Sequence, residues 1–264
     1  MRSRIPVTLP LLLLGLTAPA AWGHFNMLLP DRHSVKRGET VTFTYQWGHP
    51  FEHQLFDAPA PQELWAFAPD SKRINLLTSL EKITVPGDEG KQVTAYRFRF
   101  TPEQRGDYIF FLRPPPIWME EDKEFLQDTV KVVLHVQAQK GWANGVGGFE
   151  LVPLTRPYGL EPGMVFQAQV TFADKPLAGP LVEIERYNPT PPKELPPDEH
   201  ITRAVKADPN GVVTCTLTEP GWWGLTANFV STAKEYRDGK GYPLRYRSTL
   251  WVFVDEKVAP RPEK

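Results

Sequence analysis

Along most of this chain apolar and polar side chains alternate with a period of two. No long stretch repeats with the 3.6-residue period of a helix. Val41, Phe43, Tyr45 and Trp47 alternate with Thr42, Thr44 and Gln46, which predicts a strand with one buried face. Thr94, Tyr96, Phe98 and Phe100 alternate with Ala95, Arg97 and Arg99, and a polar Thr101–Gly106 turn leads into the strand Asp107–Leu112. Val130, Val132, Leu134 and Val136 share one face of another strand over 130–138. Before all of these, Phe25-Asn26-Met27-Leu28-Leu29-Pro30 is apolar enough to be a strand docked in the same sheet. Short strands at this spacing predict an antiparallel sandwich over 24–138.

Residues 139–149 (QKGWANGVGGF) are a Gly-rich link, and the alternation then resumes. Met164, Phe166, Ala168, Val170 and Phe172 make one strand, Val182 and Ile184 lie in a second, and Val212–Leu217 is a third behind the turn Asp208-Pro209-Asn210-Gly211. Gly221-Trp222-Trp223-Gly224 opens another strand, and Ser248–Val254 closes the set. Asp174–Gly179, Asp208–Gly211 and Pro220–Trp223 together resemble the rhythm of the small sandwiches of the transthyretin and carboxypeptidase-regulatory type, which speaks to fold alone. The expected architecture is all-β. Two consecutive antiparallel β-sandwiches, Ig-like and transthyretin-like, occupy 24–138 and 150–256, with a tail over 257–264. Pro114–Asp122 and Asn188–His200 are expected to be solvated loops.

The first 23 residues set a different pattern. Arg2 and Arg4 precede an apolar run centred on Leu11–Leu16, and Ala21-Trp22-Gly23 offers small residues at the spacing of a signal-peptidase site. The run is short and interrupted by Pro10, so no stable membrane insertion of the mature chain is expected. Cleavage after Gly23 makes His24 the first residue; cleavage after Ala20 is the rival and leaves three residues ahead of it. Without Arg2 and Arg4 the remaining 241 residues carry 28 basic and 31 acidic side chains, a charge of −3 with no basic stripe. Nucleic acid is therefore not an expected partner. The single cysteine, Cys215, allows no internal disulfide and alternates with a strand's apolar positions, where it reads as a buried small hydrophobe.

Chemistry is concentrated in the histidines. A terminal His24 offers its α-amine and its imidazole in one chelate, and His49-Pro50-Phe51-Glu52-His53 sets two more imidazoles near each other. Pro50 rules out a helix interior, so the pentad is a loop at the edge of the sandwich. Neutral imidazole suits nickel, cobalt, copper and zinc. His24, His49 and His53 are the candidate ligands, with Glu52 as the candidate carboxylate or as a group that orients an imidazole. His33 lies in a turn nearby. His135 is out of phase with its strand's apolar face and reads as a surface residue, and His200 as solvated. There is no G-x-S-x-G elbow, no H-E-x-x-H and no phosphate-binding glycine loop, so no hydrolytic enzyme is expected.

The words HFNMLLP, WGHPFEHQLFDAP, GDYIFFLRPPPIW, ELVPLTRPYGL and PGWWGL, spread from His24 to about Val254, resemble a bacterial domain-of-unknown-function family. That family is described as the periplasmic component of nickel/cobalt ABC-type transport systems. The resemblance implies a periplasmic protein that binds Ni²⁺ or Co²⁺ and works with an integral-membrane transporter, its recurring histidines falling on His24, His49 and His53. Some members carry a further histidine where this chain has Gln127 and Asp128. Two alternatives stand beside this expectation. One is a copper protein with a histidine brace, either a carrier or an oxidative enzyme; the other is a metal-free two-domain interaction module.

Overall fold

The structure, a computed structural model, describes residues 24–257. The leader expected over 1–23 and all but the first residue of the tail lie outside them. The described residues are mostly β, with one short helix, Asp198–Ile201, and two 3-10 turns. Their strands form three sheets of five, ten and four strands.

The predicted alternation places most strands. Val41–His49 buries Val41, Phe43 and Tyr45, and it lies between Phe25–Pro30 and Gln92–Phe100 in the five-stranded sheet. Phe25–Pro30 is buried at all six positions, because both of its faces are covered. Val130, Val132, Leu134 and Val136 of strand Glu124–Val136 enter the first core with Tyr108, Phe110 and Leu112. A second core gathers Phe166, Ala168, Val170, Val182, Ile184 and Val213 from the later part of the chain. The Asp208–Gly211 turn forms as expected, with the Gly211 N–H on the Asp208 carbonyl and the Asp208 carboxylate accepting from Asn210 and Val212.

The pairing is not purely antiparallel. Strand Glu124–Val136 pairs in parallel with Lys240–Val254 through eight register positions, Phe125 opposite Leu244 to Val132 opposite Trp251. This seam fuses strands of both halves into the ten-stranded sheet. Strand Lys240–Val254 also serves both cores, since Trp251 points into the first while Leu250, Val252 and Val254 point into the second. Trp251 packs under Phe25 of the opening strand, with ring centres 6.2 Å apart, and Gly224 lets it lie there; a Cβ on Gly224 would sit 3.0 Å from the Trp251 ring.

Other expectations need correction. The Gly-rich 139–149 segment is folded down, its Trp142 and Val146 packing with Ile109, Val133 and Tyr158, and Lys140 accepts a bond from the Asp107 N–H. The Pro114–Asp122 loop contains a short strand, Ile117–Met119, paired with Glu124–Leu126. His135 is not a surface residue. It is half-buried, bonded through Nδ1 to the buried Asp107 carboxylate at 2.7 Å and stacked on Tyr158 at 4.1 Å. Cys215 lies between buried and exposed beside the second core, where burial pushes its thiol up to about 11. His200 is exposed, as expected.

Candidate metal site

His24 stands immediately before the opening strand, and His49 ends the strand paired with it, Phe25 lying opposite Gly48. Antiparallel register therefore brings these two imidazoles together, with ring centres 4.6 Å apart and planes at 48°. Trp47 and Phe56 flank His24, each with its ring centre 5.2 Å away. Burial first, and then the neighbouring His49 and Arg247, lower the His24 imidazole to about 4. It is neutral at physiological pH, with a lone pair available to a metal ion.

A buried network fixes His24 from behind. Asn26, a lone polar residue in an apolar strand, donates to Asp128 at 2.5 Å, accepts from the Tyr45 hydroxyl at 2.6 Å and offers its carbonyl to the Trp251 indole at 2.9 Å. Arg247 pairs with Asp128 at 3.4 Å and donates to the His24 carbonyl. Burial raises the Asp128 carboxyl, against the pull of Arg247 and Asn26. These groups come from four strands, so the backbone of His24 is held by contacts that span the whole molecule.

The rest of the pentad turns the other way. Gln54–Phe56 pairs back onto Val41–His49, with His49 opposite Gln54, so Pro50–His53 is the hairpin loop. That loop is bonded to Glu185–Asn188. Asn188 gives its N–H to the Pro50 carbonyl and its side-chain amide to the Phe51 carbonyl, and Glu185 accepts the Phe51 N–H at 3.0 Å. His53, at φ 54°, bonds through Nδ1 to the Asn188 carbonyl at 2.8 Å and lies near Tyr187. Since a carbonyl only accepts, Nδ1 carries the proton and Nε2 the lone pair; burial lowers this imidazole, partly offset by that bond. One Glu52 carboxylate oxygen is buried without a hydrogen-bond partner among the described residues, and the Glu52 charge helps burial push Glu185 up to about 7.

Of the four candidate ligands, then, the structure brings His24 and His49 together. It does not gather His53 or Glu52 with them, and among the described residues no three His, Cys, Asp or Glu side chains converge as a metal cage. His33 is engaged elsewhere, 3.2 Å from Asp255 and stacked on Phe253. Sequence reasoning missed Arg247 and Trp251, which lie more than 220 residues from the His24 and Asn26 carbonyls they bond. It also missed Asn188, hidden in an expected solvent loop. Only Asn26 had a sequence signal, as one amide among apolar neighbours.

Chemically, two imidazoles that share one metal ion in adjacent positions, each nitrogen about 2.0–2.1 Å away, have ring centres about 4.5–5 Å apart. The observed 4.6 Å fits that arrangement. An α-amine on His24 would add a third nitrogen. The remaining positions would stay open to water or a second ligand. Beside His24 lies an open cleft of about 480 Å³, walled by Trp47, Leu55, Phe56 and Val93 and edged by Asp57 and Lys91.

The described residues are those of a mostly β protein with two large cores and a smaller third, and with a two-histidine pair at the start of its first described strand. The chain belongs to the family described as "Domain of unknown function (DUF4198)", whose signature matches residues 21–231. No curated protein matches it. Among solved structures it is similar to a DUF4785 family protein from Legionella pneumophila, at 11% identity and a TM-score of 0.31 over 79% of this chain. The chain spans about half of that protein, 53%. It is also similar to titin domains Z1Z2 in complex with telethonin (14% identity, TM-score 0.22, covering 89% of this chain and 98% of that one). Fibronectin(III)-like modules of Clostridium thermocellum CbhA match at 7% identity and a TM-score of 0.22, covering 90% and 100%.

Proposed function

We propose that this protein is an exported, periplasmic carrier of a divalent transition-metal ion, with His24 and His49 as its imidazole ligands, and that it is not an enzyme. Its two cores read as consecutive sandwiches, Ig-like and then transthyretin-like. The observation that carries the proposal is the 4.6 Å pair of imidazoles, one of them neutral and pinned, at the residue where leader cleavage would free an amine. Two or three nitrogen ligands make an open and exchangeable site, unlike the closed four-ligand sites that hold structural zinc. That suits a carrier which hands its cargo to a membrane transporter. By the family resemblance the cargo is Ni²⁺ or Co²⁺. The donor set favours copper as a second reading, since an all-nitrogen site binds Cu²⁺ more tightly than nickel or cobalt on intrinsic affinity. His53 serves in this reading to seat the pentad loop.

Calorimetric titration with Ni²⁺, Co²⁺ and Cu²⁺, on protein whose first residue is verified as His24 by mass spectrometry, tests the proposal. One ion should bind per chain, His49→Ala should weaken it at least about 100-fold, and one extra glycine ahead of His24 about tenfold. Equal binding by a His24→Ala, His49→Ala variant would overturn the site. Binding of no metal would leave the metal-free interaction module.

A further inference from the structure

A second cavity, of about 360 Å³, lies on the other side of the shared sheet from the first core. Its position follows from strand alternation. In strand Gly106–Arg113, Tyr108, Phe110 and Leu112 enter the first core, whereas Phe111 and Arg113 line the cavity. In strand Glu124–Val136 the corresponding cavity residues are Gln127 and Thr129. The folded-down 146–149 segment and Tyr246 with Arg247 close it from the second half.

Its charge is one-sided. Three guanidiniums, of Arg73, Arg113 and Arg247, line it against one carboxylate, Glu63. Arg247 is 2% exposed and clamped by Asp128 and the His24 carbonyl, so its charge is fixed in place. Arg73 lies flat on Trp65, 3.6 Å from the ring centre. Arg113 bonds Glu63, yet its Nε is buried with no hydrogen-bond partner among the described residues. A buried donor without an acceptor is costly, and an incoming oxygen relieves that cost. Phe67, Phe111, Phe149 and Tyr246 supply apolar walls, and the volume falls in the range of small-molecule pockets, about 300–1,000 Å³.

We infer that this cavity binds a small organic anion, a carboxylate carried on a flat apolar body. The carboxylate meets the Arg113–Arg73 side, where forked guanidinium donors match its two oxygens. The apolar body fills the aromatic remainder, which a bare inorganic ion would leave empty. Because residues of both halves line the cavity, the ligand touches both.

Phenylacetate, 4-hydroxybenzoate and indole-3-acetate are suitable probes, with phenylacetamide as the uncharged control, read by saturation of ligand NMR signals and by calorimetry on the full mature chain. At least one acid should bind saturably. Phenylacetamide should bind about tenfold or more weakly than phenylacetate, and Arg113→Gln and Arg73→Gln should each weaken the acid about tenfold. Arg73 is exposed, so its variant should melt like the wild type without ligand. Absence of saturable binding by all three acids would overturn the inference. So would equal affinity for acid and amide, or unchanged affinity in the Arg73→Gln variant.

Discussion

At the scale of single residues, buried polar side chains hold the pentad loop and the start of the first strand. Glu185 shows the cost. It is 1% exposed, bonded to the Phe51 N–H and the Thr202 hydroxyl, and burial with the charges of Glu52 and Glu183 moves it from an ordinary 4.5 to about 7. Between those values the folded chain keeps a proton on Glu185 that the unfolded chain has released, so the Glu185 contribution to folding stability falls as pH rises from 4.5 to about 7 and is level above, while the lowered His24 imidazole acts in the opposite sense. The gap corresponds to about 3 kcal/mol. A Glu185→Gln variant keeps an acceptor for Phe51 and has no charge to bury. The urea midpoint of the variant should therefore rise relative to that of the wild type between pH 4.5 and 7, and parallel profiles would refute this account. Asn26 is the counterpart behind His24, one amide bonded to Asp128 and to Tyr45.

At the scale of elements, the hairpin from Val41–His49 to Gln54–Phe56 decides where His49 points. Gly48 makes it possible: at φ 154° its missing Cβ would lie 2.1 Å from the Gln54 carbonyl oxygen. Gly48→Ala must spread the two strands, at a cost of about 2–4 kcal/mol, and displace His49 from His24. Thermal unfolding should show the loss, and metal affinity measured below the transition should fall with it. The sequence read this hairpin only in part. The alternation ending at Trp47 and the helix-breaking Pro50 located the strand and the loop, because period and proline are local properties. That His53 turns away from His49 was not legible, since its direction is set by Asn188, 135 residues later.

For the whole molecule, the parallel seam between Glu124–Val136 and Lys240–Val254 makes the two halves one sheet. Beside it Lys131, from that seam strand, is buried against Glu150 of strand Phe149–Pro153 at 2.5 Å, each side chain 3% exposed. Glu150 also accepts the Val146 and Gly147 N–H groups of the folded-down segment. Lys131→Met leaves a buried carboxylate without its cation and should cost about 3–5 kcal/mol, with Lys131→Met, Glu150→Gln recovering part of it. Urea unfolding followed by tryptophan fluorescence and circular dichroism should give one coincident transition, because Trp251 and the seam couple the cores. Two separated transitions would show that the halves unfold independently.

What the sequence determined by itself is local. It contained the strand periods, the Asp208–Gly211 turn, the apolar opening strand and the candidate histidines, each read from neighbours within a few residues. Tertiary structure decided which of those residues meet. Register across the first two strands joins His24 to His49, while docking of the pentad loop on Asn188 draws His53 aside. The parallel seam sets Arg247 behind His24 and at the wall of a second cavity. Each of these contacts closes a loop of more than 20 residues, which no local pattern encodes.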